Sequence, residues 1–86
     1  MQKEKKDIIL NAVASTVKRL RGTKSQYLLG GEYDIPSSVL SELERGLKDP
    51  QLTTLFKLAG SFNMTISQFM AELEKDLPEN FMIFDD

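Results

Sequence analysis

With neither cysteine nor histidine among its 86 residues, the chain can be held by no disulfide and by no cysteine- or histidine-ligated zinc. One domain of this size buries only about 60–65% of its unfolded surface, so its core is marginal unless something reinforces it. The reinforcement must come from efficient helix packing or from a second subunit.

The apolar pattern is helical throughout. Ile9, Ala12, Val13, Thr16, Val17 and Leu20 recur at three- and four-residue spacing, which predicts a first helix from Lys3 to Arg21, ended by Gly22. Ser25 offers an N-cap for a short second helix through Glu32, with Leu28 and Leu29 as its apolar contacts. Gly30 and Gly31 weaken that helix by about 1 kcal/mol each relative to Ala, so tertiary contacts must hold it. Tyr33-Asp34-Ile35-Pro36 reads as a turn leading into a third helix, Pro36 to Arg45, closed by Gly46. In it Val39, Leu40 and Leu43 point inward and Ser37, Ser38, Ser41 and Glu42 outward. Leu52, Leu55, Phe56, Leu58, Ala59 and Phe62 form a fourth helix that stops near Asn63. Thr65-Ile66-Ser67-Gln68 fits a capping box for a fifth, with Ile66, Phe69, Met70, Leu73 and Leu77 on one face and Pro78 after it. The expected fold is all-α, with residues 1–77 as the domain and 78–86 as a tail.

Charge differs by segment. Residues 1–24 hold seven Lys/Arg against two acids, residues 25–50 two against five, and residues 51–86 two against six, for a net −2. Overall acidity argues mildly against nonspecific nucleic-acid binding, although a local basic patch suffices for a specific site. Lys3, Lys5 and Lys6 ahead of Ile8, with Ala12-Val13-Ala14 beyond, imitate a secretory leader. Asn11 interrupts that apolar stretch, and cleavage there would delete the helical pattern. No run approaches the ~20 apolar residues of a membrane span, so the chain reads as soluble and cytoplasmic.

Two short helices joined by a tight turn suit a helix-turn-helix unit in size and order. The residues add specificity. Ser25-Gln26, Leu29, Ile35, Leu40, Leu43 and Glu44-Arg45-Gly46, then Pro50, Leu52, Thr54-Leu55, Leu58-Ala59 and Thr65-Ile66, resemble the XRE family of Cro and phage-repressor DNA-binding domains. The resemblance runs over roughly 17–77 and without a gap from Ser25 to Met70. It implies a five-helix lambda-repressor-like domain with the helix-turn-helix at the second and third helices. The sequence departs from the family in four places. The loop from Arg21 to Ser25 is about two residues short, and Asp34 stands for the usual turn glycine. Pro36 stands for a capping Ser or Thr, and Gly30 for the usual Ala where the two helices cross.

The resemblance assigns base reading to Ser37, Ser38 and Glu42, with Ser41 at the edge. Serine hydroxyls discriminate bases poorly, whereas Glu accepts from a cytosine amino group. The bland alternative is that these four are solvated polar residues. Gln26 falls at a helix start that favours phosphate, with Lys24 and Tyr27 as helpers. Arg45 and Lys48 either contact phosphates or compensate the dipole at the end of the third helix. Thr53 and Thr54 in the first turn of the fourth helix either contact phosphate or cap. Arg21 and Glu44 match a pair that in the family forms a buried salt bridge.

The tail run Phe81-Met82-Ile83-Phe84, followed by two acids, either clamps its own core or covers a partner, because free exposure invites association. Phe69 and Leu73 of the fifth helix join these four as expected homodimer contacts. A two-fold dimer would select a palindromic operator in double-stranded DNA. The rival expectation is an antitoxin-like or other protein-interaction module, favoured by the acidic C-terminal half. Neither an enzyme, a metal, a cofactor nor a membrane partner is expected: no catalytic motif is present, and Glu72, Glu74 and Asp76 read as a solvated helix face.

Overall fold

The computed structural model describes residues 3–84, and for residues 26–29 their helical backbone alone. Its helices are α1 (Lys3–Arg21), α2 (Gln26–Tyr33), α3 (Ser37–Glu44), α4 (Leu52–Ser61) and α5 (Ile66–Lys75), with no strand among the described residues. None is long and apolar enough to cross a membrane. The α1 stripe works as its spacing requires: Val13 and Val17 reach a core completed by Ile35, Leu40, Leu43, Leu58, Phe69 and Leu73. Val17, Leu40, Leu58 and Phe69 are wholly covered. Burial of each such side chain contributes about 1.5–3 kcal/mol. Around this core α1 packs on α3 and α5, α2 on α3 and α4, and α4 on α5.

Local chemistry sets the ends. After α3, Gly46 takes φ 71°; the Leu47 N–H donates to the Glu42 carbonyl at 2.9 Å and the Gly46 N–H to Leu43 at 3.1 Å. That is the paired closure of a Schellman motif. Asn63 does the same for α4 at φ 58°, with Met64 N–H on Ala59 at 2.9 Å. The capping box of α5 forms as expected: Thr65 Oγ1 accepts from the Gln68 N–H at 3.2 Å, and Gln68 Oε1 from the Thr65 N–H at 2.9 Å. Phe62 and Phe69 stack across α4 and α5 with centroids 6.4 Å apart.

Several expectations need correction. The fifth helix stops at Lys75, and Leu77 packs on the core from beyond it. Leu52 and Phe56 belong to the apolar pattern that predicts the fourth helix, but they are 66% and 53% exposed. They share a stripe one turn apart, whereas Leu58 and Ala59 take the buried face. Glu72 and Asp76 are half-buried partners of α1, not a solvated face; of the three only Glu74 is exposed. Arg19 Nη1 donates to Glu72 Oε1 at 2.8 Å and Arg19 Nη2 to Asp76 Oδ2 at 3.0 Å. The Thr16 hydroxyl, wholly buried, lies 2.6 Å from Asp76 Oδ2 and 2.8 Å from the Ala12 carbonyl. Its one proton serves one acceptor at a time.

The tail turns back at Asn80 (φ 58°) onto the start of α1. Lys5 Nζ donates to the Met82 carbonyl at 2.7 Å and sits 5.0 Å over the Phe81 ring.

Candidate nucleic-acid interface

The site is built from α2 and α3. Asp34 supplies the left-handed residue of the turn at φ 56°, a conformation Asp tolerates. Ile35 is buried, and its N–H donates to the Gly30 carbonyl at 3.2 Å. The return path is tight: a Cβ on Gly30 would lie 2.2 Å from the Ile35 carbonyl oxygen. Here the chain needs glycine where the resembled family uses alanine. Pro36 is the N-cap of α3, not its first residue (φ −55°, ψ 139°), and no side chain caps the helix. The expected helix from Pro36 to Arg45 therefore narrows to Ser37–Glu44.

Three contacts fix α3. Leu40 and Leu43 plug into the core. At its C-terminal end Glu44, 8% exposed, takes a two-pronged ion pair from α1: Arg21 Nε to Oε2 at 2.6 Å and Nη2 to Oε1 at 2.7 Å. Arg21 Nη1 also donates to the Lys24 carbonyl, so one guanidinium joins α1, the α1–α2 loop and α3. The carboxylate raises the Arg21 pKa further above its ordinary value, chiefly through the hydrogen bonds. The structural pairing expected of Arg21 and Glu44 is present in full.

The outward residues of α3 divide into two groups. Ser37 and Ser38 are exposed; Ser41 and Glu42 are half-buried. Lys24 is exposed beside the start of α2. The side chains of Gln26 and Tyr27 lie outside the described residues. Arg45 is exposed, with Nε 3.4 Å from the Ser41 carbonyl, a marginal bond that leaves its guanidinium available. Lys48 is half-buried. Thr53 is exposed and Thr54 half-buried, and neither caps α4, whose N-cap is Gln51.

Between the 34–36 turn and the start of α4 lies a groove of about 400 Å³, lined in part by Asp34, Pro36, Lys48, Asp49, Thr54 and Lys57. Lys57 was not among the expected site residues. Its Nζ is held by the Asp34 carboxylate at 3.1 Å and the Asp34 carbonyl at 3.2 Å. No sequence periodicity links residues 23 apart in a turn and a helix, so nothing in the sequence could have revealed this contact. In the groove Lys48 and Lys57 are matched by as many acids, Asp34 and Asp49. Its charge is balanced rather than basic.

The expected dimer contacts also divide. Phe69 and Leu73 are 0% and 6% exposed within their own protomer; they are core residues and do not reach a partner. Phe81 and Ile83 are half-buried, and Met82 and Phe84 are 68% and 73% exposed. Among the described residues no group of three acids could hold a metal ion.

Comparison with known proteins returned no family model, no curated protein and no solved structure that matches the chain.

Proposed function

We propose that the chain binds double-stranded DNA as an XRE-type transcriptional regulator, a repressor, with α2 and α3 as its helix-turn-helix and Ser37–Glu44 in the major groove. One observation carries this reading. Helix α3 is immobilised on its inner side by Leu40, Leu43 and the Arg21–Glu44 pair, while Ser37 and Ser38 project freely from its N-terminal turn. Residues at the N-terminal end of a recognition helix are those that meet base edges. The half-burial of Ser41 and Glu42 concentrates base reading on the two serines, which discriminate weakly. Lys24 and Arg45 are the freest phosphate ligands, and Lys48 joins them from the groove.

Selection from random DNA at two salt concentrations tests the proposal. The expected outcome is an enriched palindrome with relaxed positions under the serines. Affinity should fall steeply with salt, and Arg45→Ala with Lys48→Ala should reduce the log–log slope by about 2. Failure to recover any motif at low salt overturns the reading.

A second reading, an antitoxin-like protein-interaction module, is favoured by one observation. Leu47, Leu52 and Phe56 are more than half exposed around the loop that follows α3, beside a charge-balanced groove. A partner seated there would bind with little salt dependence.

A further inference from the structure

The turn acid Asp34 does more than its backbone position requires. At φ 56° an Asn or a Gly would serve the left-handed conformation equally well. The carboxylate adds a contact that neither would make, an ion pair with Lys57 of α4. Stability does not account for that pair. Its Lys57 and Asp34 side chains keep 44% and 93% of their surface in solvent, and exposed ion pairs contribute little. Nor does the turn need it, because burial of Ile35 and its N–H bond to Gly30 already fix the path. What the pair changes is the charge that the groove offers. Lys57 commits two of its three N–H donors to Asp34. The side chains of Lys48, Gln51 and Thr54 line the same groove with no hydrogen-bond partner among the described residues, and so does the acid Asp49. The groove reaches Pro36, the N-cap of α3, so it borders the helix proposed to enter the major groove.

We infer that Lys57 is a further ligand for a DNA backbone phosphate, and that Asp34 is the internal anion that withholds it. The inference rests on the DNA-binding reading and names the pair that sets affinity within it. While Lys57 is neutralised by Asp34, it adds no cation to the backbone and releases no counterion. Without the carboxylate, its ammonium is free to take a phosphate beside Lys48 and Thr54. Asp34 thus lowers affinity for every sequence alike, since phosphate contacts carry no base information.

Salt titration of full-chain binding to the selected palindrome, and to an unrelated duplex of equal length, tests it. Asp34→Asn preserves the turn conformation and removes the competitor. It should tighten binding to both duplexes about 2–5-fold at low salt, the range of one exposed ion pair. It should also steepen the log–log slope by about 0.9. Lys57→Gln alone should leave the slope as it is, and in the Asp34→Asn background it should remove the added slope. Asp49→Asn takes the same charge from the same groove but frees no lysine, so the slope should hold. All three side chains are exposed, and unchanged melting should show that the variants are folded. The inference is overturned, with the parent still binding, by any of three results: no steepening with Asp34→Asn, equal steepening with Asp49→Asn, or a slope that Lys57→Gln alone lowers. A parent that binds neither duplex at low salt defeats the DNA-binding reading, and this inference with it.

Discussion

Gly30 and Gly31 are adjacent in one short helix, and intrinsic propensity treats them alike: either one changed to Ala should gain about 0.8–1 kcal/mol. Their surroundings give the two substitutions opposite signs. A Cβ at Gly31 meets nothing within 4 Å, whereas one at Gly30 would enter the Ile35 carbonyl at 2.2 Å. That oxygen belongs to a backbone already fixed by the Ile35 N–H bond to Gly30 and by burial of the Ile35 side chain. Helix α2 would have to lift off the turn, a distortion that costs about 1–3 kcal/mol. Gly31→Ala should therefore raise the urea midpoint and Gly30→Ala should lower it, each with an unchanged slope. Shifts of the same sign would show that the turn is not packed against α2 as described.

At the scale of elements the Arg21–Glu44 pair joins α1 to α3, the helix proposed to meet DNA. Removing either partner strands a charge, which costs about 3–5 kcal/mol in a fully buried pair. Arg21 keeps 19% of its side-chain surface, so about 2–4 kcal/mol is expected for Arg21→Ala or Glu44→Ala. The double variant should lose clearly less than the sum of the two, and a sum that holds within about 0.5 kcal/mol would mean that they do not interact. This pair was legible in the sequence only through family resemblance, because residues 23 apart share no periodicity. Helix existence was legible directly: α1 spans the expected Lys3–Arg21, and Gly22, Asp34 and Gly46 take the left-handed conformations that their residue types suggested. What periodicity cannot specify is whether another element arrives to cover a face. Leu52 and Phe56 sit at helical spacing and remain exposed, while Phe69 and Leu73, expected to meet a partner, are covered by their own protomer. The candidate site shows the same limit. Spacing identified the outward residues of α3, but only packing separates the exposed Ser37 and Ser38 from the half-buried Ser41 and Glu42.

Over the whole molecule the basic first helix is tied to the acidic end of the chain by Arg19, which bridges Glu72 and Asp76. Lys75 and then Arg19 hold the Glu72 carboxyl below its ordinary range. The Thr16 hydroxyl, and more weakly Arg19, do the same for Asp76 against the opposing effect of burial. A carboxylate whose folded pKa is depressed contributes stability that is complete above the unfolded pKa, near 4 for both types. That contribution is lost as pH falls through the lower folded value. The chain has no histidine, so no side chain with an ordinary pKa in the neutral range adds a second transition. The melting temperature should thus be nearly flat from about pH 5.5 to 8 and should decline below about pH 4.5. Arg19→Met should melt lower than the parent at neutral pH, and the gap should narrow as acid protonates Glu72 and Asp76. It should not erase the acid limb, because Glu72 keeps Lys75 and Asp76 keeps Thr16. Thermal melts of both proteins at half-unit intervals would decide the matter: a gap that stays constant into strong acid would separate Arg19 from the two carboxylates.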